Sequence, residues 1–267
     1  MKTIVRAGIS LAVVVSSAGL SFADNLTPAT ARSIALNSIS RKQFPAVNAS
    51  DAWWKVTLFA NRSYQISSWT STSDGSNGCV SVALFSDAAG TVVAPSTQYQ
   101  STLEGSPNDP VTIDPETEVI NVTTTGEYRI KLTTCDASGQ DLNLMVRETT
   151  LFSPWFFVTP AYDSYQTIHN NTSSPVSVTL RATDATGTLV GTALTFTVPA
   201  NATVFKSTKI DMLVPGTGNG SFGGTTLTHN GAFGAISANT TTLGSTGLSF
   251  DSPFTTRDAI VLGSPIR

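Results

Sequence analysis

Apolar and polar residues alternate along much of this chain with a period of two. The alternation is clearest at 54–58, 128–132, 176–180 and 194–198, where Thr, Ser, Lys or Arg separates successive apolar residues. A period of two is typical of antiparallel strands that place one face on a hydrophobic core and the other in solvent. Residues 27–36, with Pro28 in a first turn, are the one candidate helix start, and their apolar spacing does not decide between helix and strand. The pattern therefore predicts an all-β protein.

Two similar turn sequences, Asp87-Ala88-Ala89-Gly90-Thr91 and Asp184-Ala185-Thr186-Gly187-Thr188, lie 97 residues apart. In each we expect the Asp side chain to accept hydrogen bonds from the local backbone and the Gly to take a positive φ. Their spacing suits two sandwiches of similar size, and shared turn chemistry explains it equally well. With a boundary between Glu148 and Pro154, the length of 267 residues predicts two tandem antiparallel β-sandwiches, at 24–148 and 149–267.

Residues 1–23 have the features of a cleaved export signal. Lys2 and Arg6 precede a short apolar run at 9–15, and Ser21-Phe22-Ala23 places small residues at the cleavage positions. The run is far shorter than the roughly 20 residues of a membrane span, and no later segment of the sequence reaches that length. We therefore expect a secreted protein, extracellular or periplasmic after cleavage, with no membrane span.

Export makes Cys79 and Cys135 a predicted disulfide, because thiols are oxidised outside the cytoplasm. A free thiol pair and a metal site are the alternatives. The bond would close a loop of about 57 residues, for which the chain-entropy model gives roughly 4 kcal/mol.

Composition removes several classes of function. Charged residues make up only 12% of the chain and the net charge is −3, whereas a nucleic-acid binder needs clustered Lys and Arg. The polar residues are mostly uncharged, with 32 serines and 40 threonines. Two histidines and two cysteines leave little material for a zinc site or a histidine-based catalytic triad.

Three short motifs of the first half are typical of one family. They are Asp51-Ala52-Trp53-Trp54-Lys55-Val56 with the turn at 60–64, Leu84-Phe85-Ser86-Asp87-Ala88-Ala89-Gly90, and Thr125-Gly126-Glu127-Tyr128-Arg129-Ile130. In these motifs residues 30–147 resemble the bacterial pre-peptidase C-terminal domain, a secreted, jelly-roll-like β-sandwich. Domains of that family commonly follow a peptidase, and we expect none before this one. The resemblance therefore implies an accessory or surface module and not an enzyme.

The second half contains Ile168-His169-Asn170, Pro175-Val176-Ser177-Val178, the turn at Asp184 and Val198-Pro199-Ala200. In these stretches it is similar to immunoglobulin-like modules that are repeated in secreted bacterial proteins. The similarity implies an immunoglobulin-like β-sandwich.

Several motifs contain residue types that can carry chemistry. Residues 218–223 spell Gly-x-Gly-x-x-Gly, but the dinucleotide fingerprint needs a following helix, so we expect a flexible glycine loop. His169 and His229 have no nucleophile motif to work with, and strand parity predicts a solvated His169. Two acidic clusters are calcium ligands or solvated loop charge: Asp109, Asp114, Glu116 and Glu118, and Asp136 with Asp141. We expect no metal, no cofactor and no catalytic residue.

Aromatic side chains are the better candidates for a binding site. Trp69 has the opposite strand parity to Tyr64 and Ile66 and is predicted to point outward, as are Tyr165 and Tyr162. Exposed planar rings stack on sugar faces. We expect Trp69, Tyr162 and Tyr165 to bind ligand, with core or interface packing of Trp69 as the alternative. The run 155–157 is expected to pack between the two domains.

The sequence thus predicts a secreted, non-catalytic binding or accessory protein that recognises extracellular polysaccharide or a surface protein. One alternative is a structural surface or matrix protein whose strands associate edge to edge. Another is a divergent secreted hydrolase with a site assembled from distant loops.

Overall fold

The computed structural model describes residues 25–43, 51–71, 80–95, 97–99, 116–134 and 141–257. The first half of this part contains a 3-10 turn (Pro28–Thr30) and strands β1 (Arg32–Ser33), β2 (Ile39–Gln43), β3 (Asp51–Leu58), β4 (Arg62–Ser71), β5 (Val80–Phe85), β6 (Thr97–Tyr99), β7 (Glu116–Val122), β8 (Gly126–Thr134) and β9 (Asp141–Glu148). The second half contains β10 (Leu151–Val158), β11 (Tyr162–Asn170), β12 (Val176–Asp184), β13 (Leu189–Val198), β14 (Thr203–Ser207), β15 (Ser221–His229), β16 (Ile236–Gly244) and β17 (Ser249–Pro253).

The strands of the first half form two sheets, in the orders β1-β3-β8-β5 and β2-β9-β4-β7-β6. Their pairs are antiparallel except for the two-residue pair of β1 with β3, in which Arg32 lies beside Trp54. Side chains of period-two spacing from both sheets meet between them and form one core. Its largest fully buried members are Trp54, Leu58, Tyr64, Ile66, Leu84, Ile130, Leu132 and Leu144.

The strands of the second half form two antiparallel sheets, in the orders β10-β15-β12-β13 and β14-β11-β16-β17. A separate core lies between these sheets and includes Phe156, Ile168, Val178, Leu180 and Leu227. The predicted all-β architecture of tandem antiparallel β-sandwiches is confirmed. Leu194 and Phe196 are only half-buried, because β13 is an edge strand and one side of it has no neighbouring strand to cover them.

The two turn sequences adopt the predicted geometry. Oδ1 of Asp87 accepts hydrogen bonds from the N–H groups of Thr91 and Val92, and Gly90 has a φ of 68°. Oδ1 of Asp184 accepts from the N–H groups of Thr186 and Thr188, and φ is 85° at Gly187. At the undecided segment 27–36, Thr27 caps the 3-10 turn and the chain then enters β1.

A short, buried connection joins the two sandwiches. Thr149 and Thr150 are the only residues between β9 and β10, and both are buried. Their side chains bond to Ser63 of β4: the N–H of Ser63 donates to Oγ1 of Thr150 (2.8 Å), and Oγ1 of Thr149 donates to Oγ of Ser63 (2.9 Å). The described part of the chain has no helix with the length and apolar character needed to span a membrane.

Candidate functional site

A β-bulge in β10 turns an aromatic side chain outward. Ser153 pairs with Thr225 and Phe156 with Gly223, so Pro154 and Trp155 lie opposite the single residue Gly224. Proline is tolerated at this point because β10 is an edge strand and a bulge leaves the residue outside the hydrogen-bonded ladder. The extra residue resets the alternation, so that Phe156 is fully buried while Trp155 on one side is exposed and Phe157 on the other is half-buried.

Five aromatic rings form one connected group, in which three rings contact Trp155 and the fifth contacts Phe157. The centroid of the Trp155 ring lies 6.2 Å from Phe157, 6.4 Å from Phe222 and 6.2 Å from Phe250, and the ring of Tyr162 lies 5.6 Å from Phe157. We call these five residues, Trp155, Phe157, Tyr162, Phe222 and Phe250, the aromatic surface. It gathers side chains from β10, β11, β15 and β17, so both sheets of the second sandwich contribute to it.

The rings of the aromatic surface form a platform. Phe157 and Phe222 are directly opposite each other on neighbouring strands, and the Trp155 plane is inclined by only 27° and 26° to theirs. The exposed fractions are 38% for Trp155, 50% for Phe222 and 43% for Phe250. Single exposed apolar residues are ordinary, whereas these exposed rings are contiguous, which makes the aromatic surface the candidate interaction site.

Two glycines make room for this arrangement. A Cβ atom at Gly244 would overlap the ring of Tyr162, so that ring rests on bare backbone. At Gly223, next to Phe222, a Cβ atom would overlap the carbonyl oxygen of Thr183 and lie 2.9 Å from Cα of Asp184. Gly223 therefore lets β15 come close to β12 beside Phe222.

Two charged residues on the Tyr162 side of the aromatic surface, Asp163 and Lys209, make local hydrogen bonds. Asp163, which follows Tyr162, is buried; its carboxylate accepts from Oγ of Ser207 (2.5 Å) and from the N–H groups of Ser164 and Lys209. Nζ of Lys209 donates to the carbonyl of Thr159 (3.0 Å). Since the five ring-bearing residues are themselves uncharged, this surface favours an uncharged ligand.

The structure separates the two tyrosines predicted to bind ligand. Tyr162 belongs to the aromatic surface, whereas Tyr165 is half-buried on the outer face of the sheet β14-β11-β16-β17, between Ser207 and Thr241. Burial, followed by the carboxylate of Asp163, raises the pKa of Tyr165. The exposed ring of Phe205 lies opposite Thr167 on the adjacent edge strand, β14.

Trp69 lies on the sheet face opposite to Tyr64 and Ile66, as its parity predicts, and it is half-buried. Its partner across the sheet is Asn143, whose Nδ2 donates to the Trp69 carbonyl at 3.4 Å. Neighbours on this face, Ser67, Val119 and Asn143, are buried. Because its neighbours on this face are buried, Trp69 is a less open platform than Trp155.

The histidines occupy different environments. His169 is half-buried on the outer sheet face, and its Nδ1 bonds Oγ1 of Thr203 (2.9 Å). His229 is buried where the two sandwiches meet, and its Nδ1 has no hydrogen-bond partner. Burial lowers the pKa of His229 to about 4, so the ring is neutral at pH 7.

The remaining candidate motifs have simple outcomes or lie outside the described residues. The loop with Gly218 and Gly220 leads into strand β15 and not into a helix, so it lacks the context of a dinucleotide site. The structure does not describe Cys79, Cys135 or residues 1–23. Of the two acidic clusters, it describes only the side chain of Glu118. In the described part, no group of three His, Cys, Asp or Glu residues is placed to hold a metal ion.

The expectation that residues 155–157 pack between the sandwiches is wrong for Trp155 and Phe157, because the bulge directs both to the aromatic surface. Phe152 and Phe233 make the ring contacts between the halves instead, under Arg62 (4.3 Å) and Arg147 (3.8 Å) respectively. Sequence reasoning missed Phe222 and Phe250, which come from strands far apart in the chain. The one available signal was Pro154 inside an aromatic strand, a combination typical of a bulge at a sheet edge.

No protein-family model matches this chain, and no curated protein is significantly similar to it.

Proposed function

We propose that this chain is a secreted, non-catalytic binding protein that holds extracellular glycan on the aromatic surface of its second sandwich. The observation that carries the proposal is the exposed platform of Trp155, Phe157 and Phe222. Flat rings at small mutual angles suit the apolar C–H faces of sugar rings, which stack on them through dispersion and C–H contacts. A neutral polysaccharide also fits a surface without charged side chains.

The expected strength of binding follows from the exposed ring area. Aromatic side chains bury about 150–250 Å² each when fully covered, so the exposed parts of Trp155, Phe222 and Phe250 offer on the order of 250 Å². At about 25 cal/mol per Å² this gives roughly 6 kcal/mol before association costs. We therefore expect weak binding by one site, with a Kd on the order of 0.1–1 mM or above.

The test is a pull-down of residues 24–267 on insoluble polysaccharides and whole cells, with tryptophan fluorescence as the readout in solution. Trp155→Ala should weaken saturable binding by about tenfold or more, which corresponds to about 1.4 kcal/mol. The matched control is Phe205→Ala, which removes an exposed ring, 67% accessible, outside the aromatic surface. Phe205→Ala should bind like the wild type.

The variant Trp69→Ala tests whether the ligand binds to the first or to the second sandwich. If Trp69→Ala abolishes binding and Trp155→Ala does not, the ligand lies on the first sandwich and the assignment to the aromatic surface is wrong. If the wild-type protein binds no polysaccharide and no cell preparation, the glycan-binding function itself is rejected.

Self-association is the second candidate function, and one feature of the second sandwich favours it. The edge strands β13 and β14 are flanked by exposed apolar side chains, and unpaired edges are templates for another chain; these side chains are Leu189, Phe205, Ile210 and Leu213. Against it, Lys206 on β14 lies over the Phe196 ring at 5.0 Å, and an edge lysine is a common guard against such pairing. Concentration-dependent oligomers in light scattering would support self-association, and a strict monomer would reject it.

A further inference from the structure

His229 lies at the contact between the two sandwiches. It is the last residue of β15, is 1% exposed, and its backbone N–H donates to Oγ of Ser63 on β4 at 3.5 Å. Four residues later the N–H of Phe233 donates to Oε1 of Gln65, also on β4, at 2.6 Å. These two bonds tie the second sandwich to the outer face of the first.

The ring of His229 is poorly provided with partners in this contact. Its Nδ1 has none, although a buried polar atom without a hydrogen bond is destabilising. The neutral ring tolerates this position, but an imidazolium needs two acceptors, because both of its nitrogens carry a proton. Protonation would therefore place a charge in a buried site, where the backbone of Gly231 and Thr149 offsets only part of the cost of desolvation.

The charged groups around the contact already have partners of their own. Glu148 is committed to Arg62, whose Nη1 lies 3.0 Å from Oε1 of the carboxylate. The Arg147 guanidinium covers Phe233, and Arg257 covers Phe152 at 5.1 Å. The hydroxyl of Tyr64 accepts from the N–H of Phe59. On the strands around His229, the titratable and charged residues whose side chains are described are Arg62 and Tyr64 on β4, Arg147 and Glu148 on β9, and Arg181 and Asp184 on β12.

We propose that the contact between the sandwiches is an acid-sensitive joint: protonation of His229 breaks it, and the second sandwich then turns about residues 149–150. Opening hydrates the imidazolium and lets both nitrogens bond to water. The two cores stay intact, because neither of them contains His229.

The direction and the pH range follow from the two states of the joint. Burial lowers the pKa of His229 from 6.5 to about 4 in the closed joint, where the backbone of Thr149 and Gly231 offsets only part of the effect. In the open joint the pKa returns toward 6.5. The closed state is therefore favoured fully above pH 6.5 and loses stability as the pH falls toward 4, where the ratio of closed to open molecules has dropped by about 150-fold.

The experiment follows the maximum dimension of residues 24–267 by small-angle X-ray scattering between pH 7.5 and 3.5, with far-UV circular dichroism as a check on the sheets. The wild type should lengthen between pH 6.5 and 4 without loss of strand signal. His229→Gln removes the titrating group and should keep its neutral-pH dimension throughout. His169→Gln, the matched control at the second histidine, should lengthen like the wild type.

A second measurement needs no variant at position 229. In the proton NMR spectrum of the wild type, the His229 ring signals should change together with the lengthening. The joint is not acid-sensitive if the wild type keeps its length to pH 3.5, if His229→Gln lengthens over the same range, or if His229 titrates without a change in length. None of these outcomes depends on glycan binding.

Discussion

The ring of Tyr162 rests on the backbone of Gly244, the residue directly opposite it on the neighbouring strand β16. A Cβ atom at position 244 would overlap Cε1 of the ring and lie 3.0 Å from Cδ1 and Cζ. Because the Tyr162 ring also contacts Phe157, the missing side chain at Gly244 determines where one border of the aromatic surface lies.

Gly244→Ala should therefore displace Tyr162 and weaken glycan binding several-fold while leaving the fold in place. The measurement is the polysaccharide affinity beside the thermal unfolding midpoint. Gly126→Ala is the control, since a Cβ atom there would meet nothing within 4 Å. Equal affinity of Gly244→Ala and wild type would show that Tyr162 takes no part in binding.

Gly223→Ala should destabilise the second sandwich itself. The new Cβ atom would collide with backbone of β12, which cannot move aside as a side-chain end would. Overpacking of this kind costs about 1–3 kcal/mol or more, and we expect the upper end, measured by urea unfolding. Gly187→Ala tests the cost of the positive φ alone, because φ is 85° there and a Cβ atom would meet nothing within 4 Å. This variant should lose only about 1–2 kcal/mol in the free energy of unfolding. A Gly223→Ala variant as stable as Gly187→Ala would contradict the close approach of β15 and β12.

Asn170 organises the loops at one end of the second sandwich. Its buried Nδ2 donates to the carbonyls of Ser174 (2.8 Å), Val198 (3.1 Å) and Pro199 (3.1 Å), and its Oδ1 accepts from the N–H (2.9 Å) and Oγ1 (2.8 Å) of Thr172. Asn170→Ala leaves several of these groups unpaired at about 1–3 kcal/mol each. We expect a loss of at least about 3 kcal/mol in the free energy of unfolding.

The neighbouring Asn171 supplies the comparison for Asn170. Its exposed side chain makes one bond, from Nδ2 to the carbonyl of Gly234 (3.0 Å), so Asn171→Ala should cost less than about 1 kcal/mol. Similar losses for the two variants in the same unfolding experiment would refute the organising role of Asn170.

The fold was predictable because its cause is local. Alternation at Trp54, Val56 and Leu58 identifies a strand and its buried face, and all three residues are buried. The turns at Asp87 and Asp184 were predictable for the same reason, since Asx hydrogen bonds and a glycine of positive φ involve only five residues.

The aromatic surface and the burial of His229 were not predictable from local pattern. The bulge at Pro154 shifts the parity of β10, so period-two reasoning assigns the wrong face to Trp155. Phe222 and Phe250 reach Trp155 only through strand pairing and the closing of the sandwich edge. His229 is buried by Ser63 and Thr149, and the contact with Ser63 spans 166 residues of chain.

The predicted disulfide joins Cys79 and Cys135, which lie outside the described residues, so it remains a prediction from the sequence. For protein recovered from an oxidising compartment, we expect a mass 2 Da below that of the dithiol form, since forming the bond removes two hydrogens. The double variant with Cys79→Ser and Cys135→Ser should lose up to about 4 kcal/mol in urea unfolding. Reductant should destabilise the wild type by a similar amount and leave the double variant unchanged, whereas two free thiols in the secreted protein would exclude the bond.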